Sequence, residues 1–96
     1  MTNQISEFIC TATPEAVASF HEDGIVILHT GKGCLFTANG TGARIWCGVM
    51  QQQSLDSIAD EISGEYQIPP STAREHVGGF LVELERNQLI KREAVS

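Results

Sequence analysis

The rhythm of apolar and polar positions changes once along the chain, close to residue 40. Before that point the pattern is short and strand-like. Residues 16–22, AVASFHE, alternate loosely, Asp23-Gly24 is a turn signal, and Ile25 to His29 form a short apolar run rich in β-branched residues. Gly31-Lys32-Gly33 marks a second turn, and Cys34 to Ala38, CLFTA, supplies a third strand. After the corner at Asn39–Gly42 the period becomes helical. Ile45, Trp46, Val49 and Met50 share one face of a first helix, with Asn39 or Thr41 as its N-cap.

Ser54 is placed to cap a second helix, in which Leu55, Ile58, Ala59 and Ile62 recur at helical spacing and Asp56 suits the positive end of the dipole. Pro69-Pro70 breaks the chain, and a third helix starts at Pro70 or Ser71. Ala73, Val77, Phe80, Leu81 and Leu84 form its inward stripe. Asn87-Gln88 ends it, and Leu89-Ile90 packs back. The order βββααα predicts an α+β, winged-helix-like domain: a three-stranded antiparallel sheet followed by three helices, the sheet forming one wall of the core. The domain is expected over residues 15–93, preceded by a flexible N-terminal segment at 1–14. The corner lets the first helix fold back under the last strand, with Trp46 filling the angle between them.

Composition narrows the function classes. Ninety-six residues make one domain with little room for a deep catalytic cavity, and 42% apolar residues suit a globular chain. No apolar run approaches the roughly 20 residues a membrane span needs, and no secretory signal is visible. Three widely spaced cysteines, Cys10, Cys34 and Cys47, fit reduced thiols in a cytoplasm. A net charge of −6 argues against nucleic acid, because phosphate neutralisation needs clustered Lys and Arg. The third helix instead mixes Arg74 and Arg86 with Glu75, Glu83 and Glu85. His21, His29 and His76 are scattered without metal-ligand spacing. GKG at 31–33 lacks the frame of a phosphate loop. His29 and Cys34 face each other across a turn, a common incidental pairing.

The string TANGTGARIW, followed by SLDSIADEI, Y-x-I, HVGGFLVEL and LI, resembles the PqqD-like family. That family takes in the small D protein of pyrroloquinoline quinone biosynthesis and the precursor-peptide recognition elements of ribosomally made, modified peptides. The likeness covers roughly residues 24–92. Ala38 stands where the family usually has Leu, His76 where Asp is frequent, and Gln88 where Gly usually precedes Leu-Ile.

The resemblance implies a non-catalytic peptide chaperone. It would bind the leader segment of a precursor peptide as an extra strand on the third strand and present it to a modifying enzyme. Backbone hydrogen bonds would supply affinity, and pockets for alternate side chains specificity. Carried over, the pairing edge is Cys34, Leu35, Phe36, Thr37 and Ala38, with Cys34, Phe36 and Ala38 on one face and Leu35 and Thr37 on the other. Which face carries the groove is open in the sequence.

On the third helix Gly78-Gly79 interrupts a regular stripe at on the order of 1 kcal/mol per Gly relative to Ala. Two readings stand: a kink or close helix–strand contact, or side chains removed to admit a peptide. Arg74, Gly78, Leu81 and Glu85 share one face and are expected to flank the groove. Arg74 is either a solvated first-turn residue or the partner of a leader carboxylate.

No cofactor or metal is implied. The implied partners are a leader peptide and a radical S-adenosylmethionine maturase, a leader protease or a cyclase, with neither nucleic acid nor membrane. An exposed strand edge also permits a homodimer. The alternative is a regulatory or structural protein-interaction domain with no precursor peptide.

Overall fold

The strands expected before residue 40 form a single antiparallel sheet in the computed structural model, which describes residues 8–94. Strand β1 is Phe8–Ala12, β2 is Ala16–His21, β3 is Gly24–His29 and β4 is Cys34–Ala38. Helices α1 (Gly40–Met50), α2 (Leu55–Tyr66) and α3 (Pro70–Arg86) follow, and β5 is Ile90–Ala94. The sheet has the order β2-β3-β4, so β3 is central and both β2 and β4 are edges. The architecture is the predicted α+β arrangement of three sheet strands followed by three helices, with a second, two-stranded ribbon added.

That ribbon corrects one expectation. Residues 8–12 lie in the stretch read as a flexible N-terminal segment, yet they pair antiparallel with β5, from Phe8↔Ala94 to Ala12↔Ile90. Ile9 also bridges to Ser54, and the Thr13 N–H donates to the Leu89 carbonyl at 2.9 Å. The strand is only five residues long. Its strand state depends on a partner about eighty residues away, which local periodicity does not register. Residues 1–7 of that segment lie outside the described residues.

Helix starts follow sequence chemistry. Asn39 Oδ1 accepts from the Gly42 N–H at 3.1 Å, and Ser54 Oγ accepts from the Ser57 N–H at 3.1 Å. Pro70 occupies the first turn of α3, where a missing N–H costs nothing. Helix ends follow a different rule. Each helix closes with a glutamine in the left-handed region, Gln52, Gln67 and Gln88, at φ of 59°, 56° and 61°. The residue after each donates its N–H to the carbonyl five positions back: Gln53 to Gly48, Ile68 to Ser63 and Leu89 to Leu84. This Schellman arrangement satisfies carbonyls the helix leaves free.

The core joins Ile25 and Ile27 of β3, Ile45, Trp46 and Val49 of α1, the Leu55/Ile58/Ala59/Ile62 stripe of α2 and Ala73, Val77, Leu81 and Leu84 of α3. Leu89 and Ile90 close it. Trp46 is buried, as the corner implied. Met50, expected on the same face, is 59% exposed, because it ends α1 beyond the packed turns.

The corner depends on Gly42. A Cβ there would lie 2.5 Å from the Cβ of Ala38 and 3.0 Å from the Phe80 ring. The missing side chain lets β4, α1 and α3 meet at one point. Gly24, at the start of β3, is likewise pressed against the Ala38 carbonyl, with no room for a side chain.

Candidate functional site

The β2–β3 turn determines which backbone groups β4 offers. Only Glu22 and Asp23 separate His21 from Gly24, so those two form a hydrogen-bonded pair. Alternation along β3 then points the amides of Gly24, Val26 and Leu28 at β2 and those of Ile25, Ile27 and His29 at β4. Their partners in β4 are Ala38, Phe36 and Cys34. The amides and carbonyls of Leu35 and Thr37 are left pointing away from the sheet, at its free edge.

Side chains alternate in the perpendicular sense. Phe36 and Ala38 pack against the core, on the same face as Ile25 and Ile27, whereas Leu35 is 67% exposed on the opposite face. The core-facing side of β4 is therefore that of Phe36 and Ala38. Phe36 meets Phe80 of α3 edge-to-face, with ring centroids 5.8 Å apart. Toward the C-terminal end of α3 the strand and helix diverge around a groove of about 350 Å³, lined by His29, Lys32, Cys34, Leu35, Phe36, Arg86, Asn87 and Leu89.

His29 is 8% exposed and accepts the Lys32 backbone N–H on Nδ1 at 3.2 Å. Although His29 and Cys34 are cross-strand partners, this nitrogen is committed to the turn. The Cys34 thiol donates to the Lys32 carbonyl at 3.7 Å. The pair braces the turn. Among the described residues no cluster of His, Cys, Asp or Glu has the form of a metal site.

The four α3 residues expected beside β4 are elsewhere. Arg74 pairs with Asp56 at the start of α2, and Glu85 pairs with Arg92 of β5 at 3.2 Å. Gly78 and Leu81 line a separate cavity with Cys10, Gln53, Leu55, Ile58 and Arg92. Helical geometry explains the displacement: at 100° per residue Gly78 lies about 160° around the helix from Phe80, the residue that meets β4. Burial pushes the Cys10 thiol up in that cavity, against the opposing pull of Arg92, which leaves the thiol a weak nucleophile. The groove residues missed in the sequence are His29, Lys32, Arg86, Asn87 and Leu89. The available signal was Phe80, whose i+3 and i+7 neighbours, Glu83 and Asn87, share the face toward the strand.

The family model for coenzyme PQQ synthesis protein D matches residues 24–90. The chain belongs to the PqqD family. Strands β3 and β4, the corner and the three helices fall inside the matched span, and β1 and β2 precede it. Two solved structures share the architecture. One, "TbiB1 in Complex with the TbiA(beta) Leader Peptide", is 26% identical with a TM-score of 0.79, covering 84% of this chain and 94% of that one. The other, "Lasso peptide synthetase B1 complexed with the leader peptide", is 22% identical with a TM-score of 0.79, covering 88% of this chain and 98% of that one. No curated protein matches the chain significantly. Among the described residues no helix is long and apolar enough to cross a membrane.

Proposed function

We propose that this PqqD-family chain binds the leader segment of a ribosomal precursor peptide as a fourth strand along β4 and presents it to a separate modifying enzyme, itself catalysing nothing. The observation that carries the reading is the free edge of β4: two outward amides, from Leu35 and Thr37, beside a groove that opens toward α3. An extended peptide paired there gains main-chain hydrogen bonds, and every second side chain meets the Phe36 side of the strand. The two solved neighbours, each in complex with a leader peptide, support a leader peptide as the ligand. The enzyme partner is a radical S-adenosylmethionine maturase, a leader protease or a cyclase. Three free thiols suit work in a reducing cytoplasm.

Proline at Leu35 or Thr37 removes one outward donor without touching the bonds to β3. Each lost ladder bond is worth about 1 kcal/mol, so Leu35→Pro and Thr37→Pro are expected to weaken leader binding by at least about fivefold each. The peptide for the test is the product of a short precursor reading frame, sought beside this gene. Isothermal titration of that peptide against both variants, with melts confirming the fold, is the test. Unchanged affinity in both would overturn the site.

A further inference from the structure

We propose that the bound peptide is selected for one acidic side chain, Asp or Glu, which seats at the turn end of the β4 groove between Lys32 and Arg86. The inference rests on the strand-addition reading and adds a specificity to it. Its basis is the distribution of charge. The chain has twelve carboxylates and six Lys or Arg, so unpaired positive charge is scarce. Arg44 is held by Glu61 and Glu65, Arg74 by Asp56, Lys91 by Glu93 and Arg92 by Glu85. Among the described residues Lys32 is the one basic side chain without a carboxylate partner. Arg86 has only Glu83 on its own helix, at 3.6 Å and with its side chain 75% exposed.

These two cations come from separate elements, the β3–β4 turn and the last turn of α3, and both line the same groove. No carboxylate lines it, in a chain where carboxylates outnumber cations two to one. The apolar floor formed by Phe36 and Leu89 excludes water from one side of any ion pair made there, which strengthens it over an open surface pair. A peptide strand on β4 passes this point beside the outward amide of Leu35, so one of its side chains reaches the two cations. A nucleic acid does not suit the site, since two cations on a chain of net charge −6 neutralise too few phosphates.

The test uses an mRNA-displayed library of random peptides, selected against the wild-type protein and against the Lys32→Glu, Arg86→Glu double variant. Wild type is expected to enrich alternating apolar residues with Asp or Glu at a fixed offset, and the double variant to keep the apolar pattern while replacing the acid with Lys or Arg. For one enriched peptide, changing its acid to the amide should weaken wild-type binding about fivefold at low ionic strength. That loss should shrink as salt is added and vanish in Lys32→Ala. Enrichment of the apolar pattern without a fixed acid, or of the same acid by both proteins, overturns this inference while leaving strand addition standing. Failure of wild type to enrich any peptide overturns both.

Discussion

A glutamine takes the left-handed conformation at three places where glycine is the residue of least cost. At Gln88 the resemblance had marked a departure, since the family usually has glycine before the Leu-Ile pair. The structure supplies the physical meaning: φ of 61° at Gln88, followed by the Leu89 N–H reaching back to Leu84 at 2.9 Å. The family pattern there is a demand of the backbone. A side chain in this region costs roughly 1–2 kcal/mol, partly offset by the greater unfolded-state entropy of glycine. Gln88→Gly should therefore raise stability by about 0.5–1 kcal/mol, read as a higher denaturation midpoint at unchanged m-value. Leader binding should persist, because the bonds that position Asn87 and Leu89 are backbone bonds. The same glutamines explain what was hard to read. The helix starts were legible because Asn39, Ser54 and Pro70 announce them, whereas Gln52 and Gln67 carry no stop signal.

At the scale of elements, α3 shows where periodicity suffices and where it fails. The stripe Ala73, Val77, Leu81, Leu84 was legible because burial repeats with the helix, and those four residues are buried. Which remaining face looks at β4 was not, because the rotation of α3 about its axis is set by contacts distant in sequence, Phe80 on Phe36 and Arg74 on Asp56. The extent of β4 was legible, since its five residues follow from alternation between two turns. The α3 residue that meets it is Phe80, on a different side of the helix from Arg74, Gly78, Leu81 and Glu85. This changes what Gly78 and Gly79 mean. A Cβ at Gly78 would meet only Leu55 Cδ1, at an ordinary 3.8 Å, and one at Gly79 would meet nothing within 4 Å. Neither glycine makes room for the domain's own backbone, and both lie away from β4. Gly78→Ala and Gly79→Ala should each raise stability by on the order of 1 kcal/mol. Leader affinity by titration should stay within twofold, about the 0.4 kcal/mol expected of distant sites. A selective loss of affinity in either variant would return the groove to that face.

Across the whole molecule, polar pairing is concentrated on the side away from the groove. Arg44 bridges α1 to Glu61 and Glu65 of α2, Arg74 ties α3 to α2, and Arg92 ties β5 to Glu85. These exposed pairs are individually weak, yet they occupy half of the six Lys and Arg side chains of the chain. The core holds the sheet against the helices from one side, and β4 is the sheet edge beside the groove. The β1–β5 ribbon has a different consequence. Because Phe8 pairs directly with Ala94, the polypeptide enters and leaves the domain at one corner, with those Cα atoms about 5 Å apart. Such a unit is portable. It can be spliced into a surface turn of a host protein without prying the turn open. With the full chain inserted into an exposed turn of green fluorescent protein, host fluorescence should survive and the guest should melt as it does alone. Loss of both would show that the ribbon does not hold the two ends together in solution.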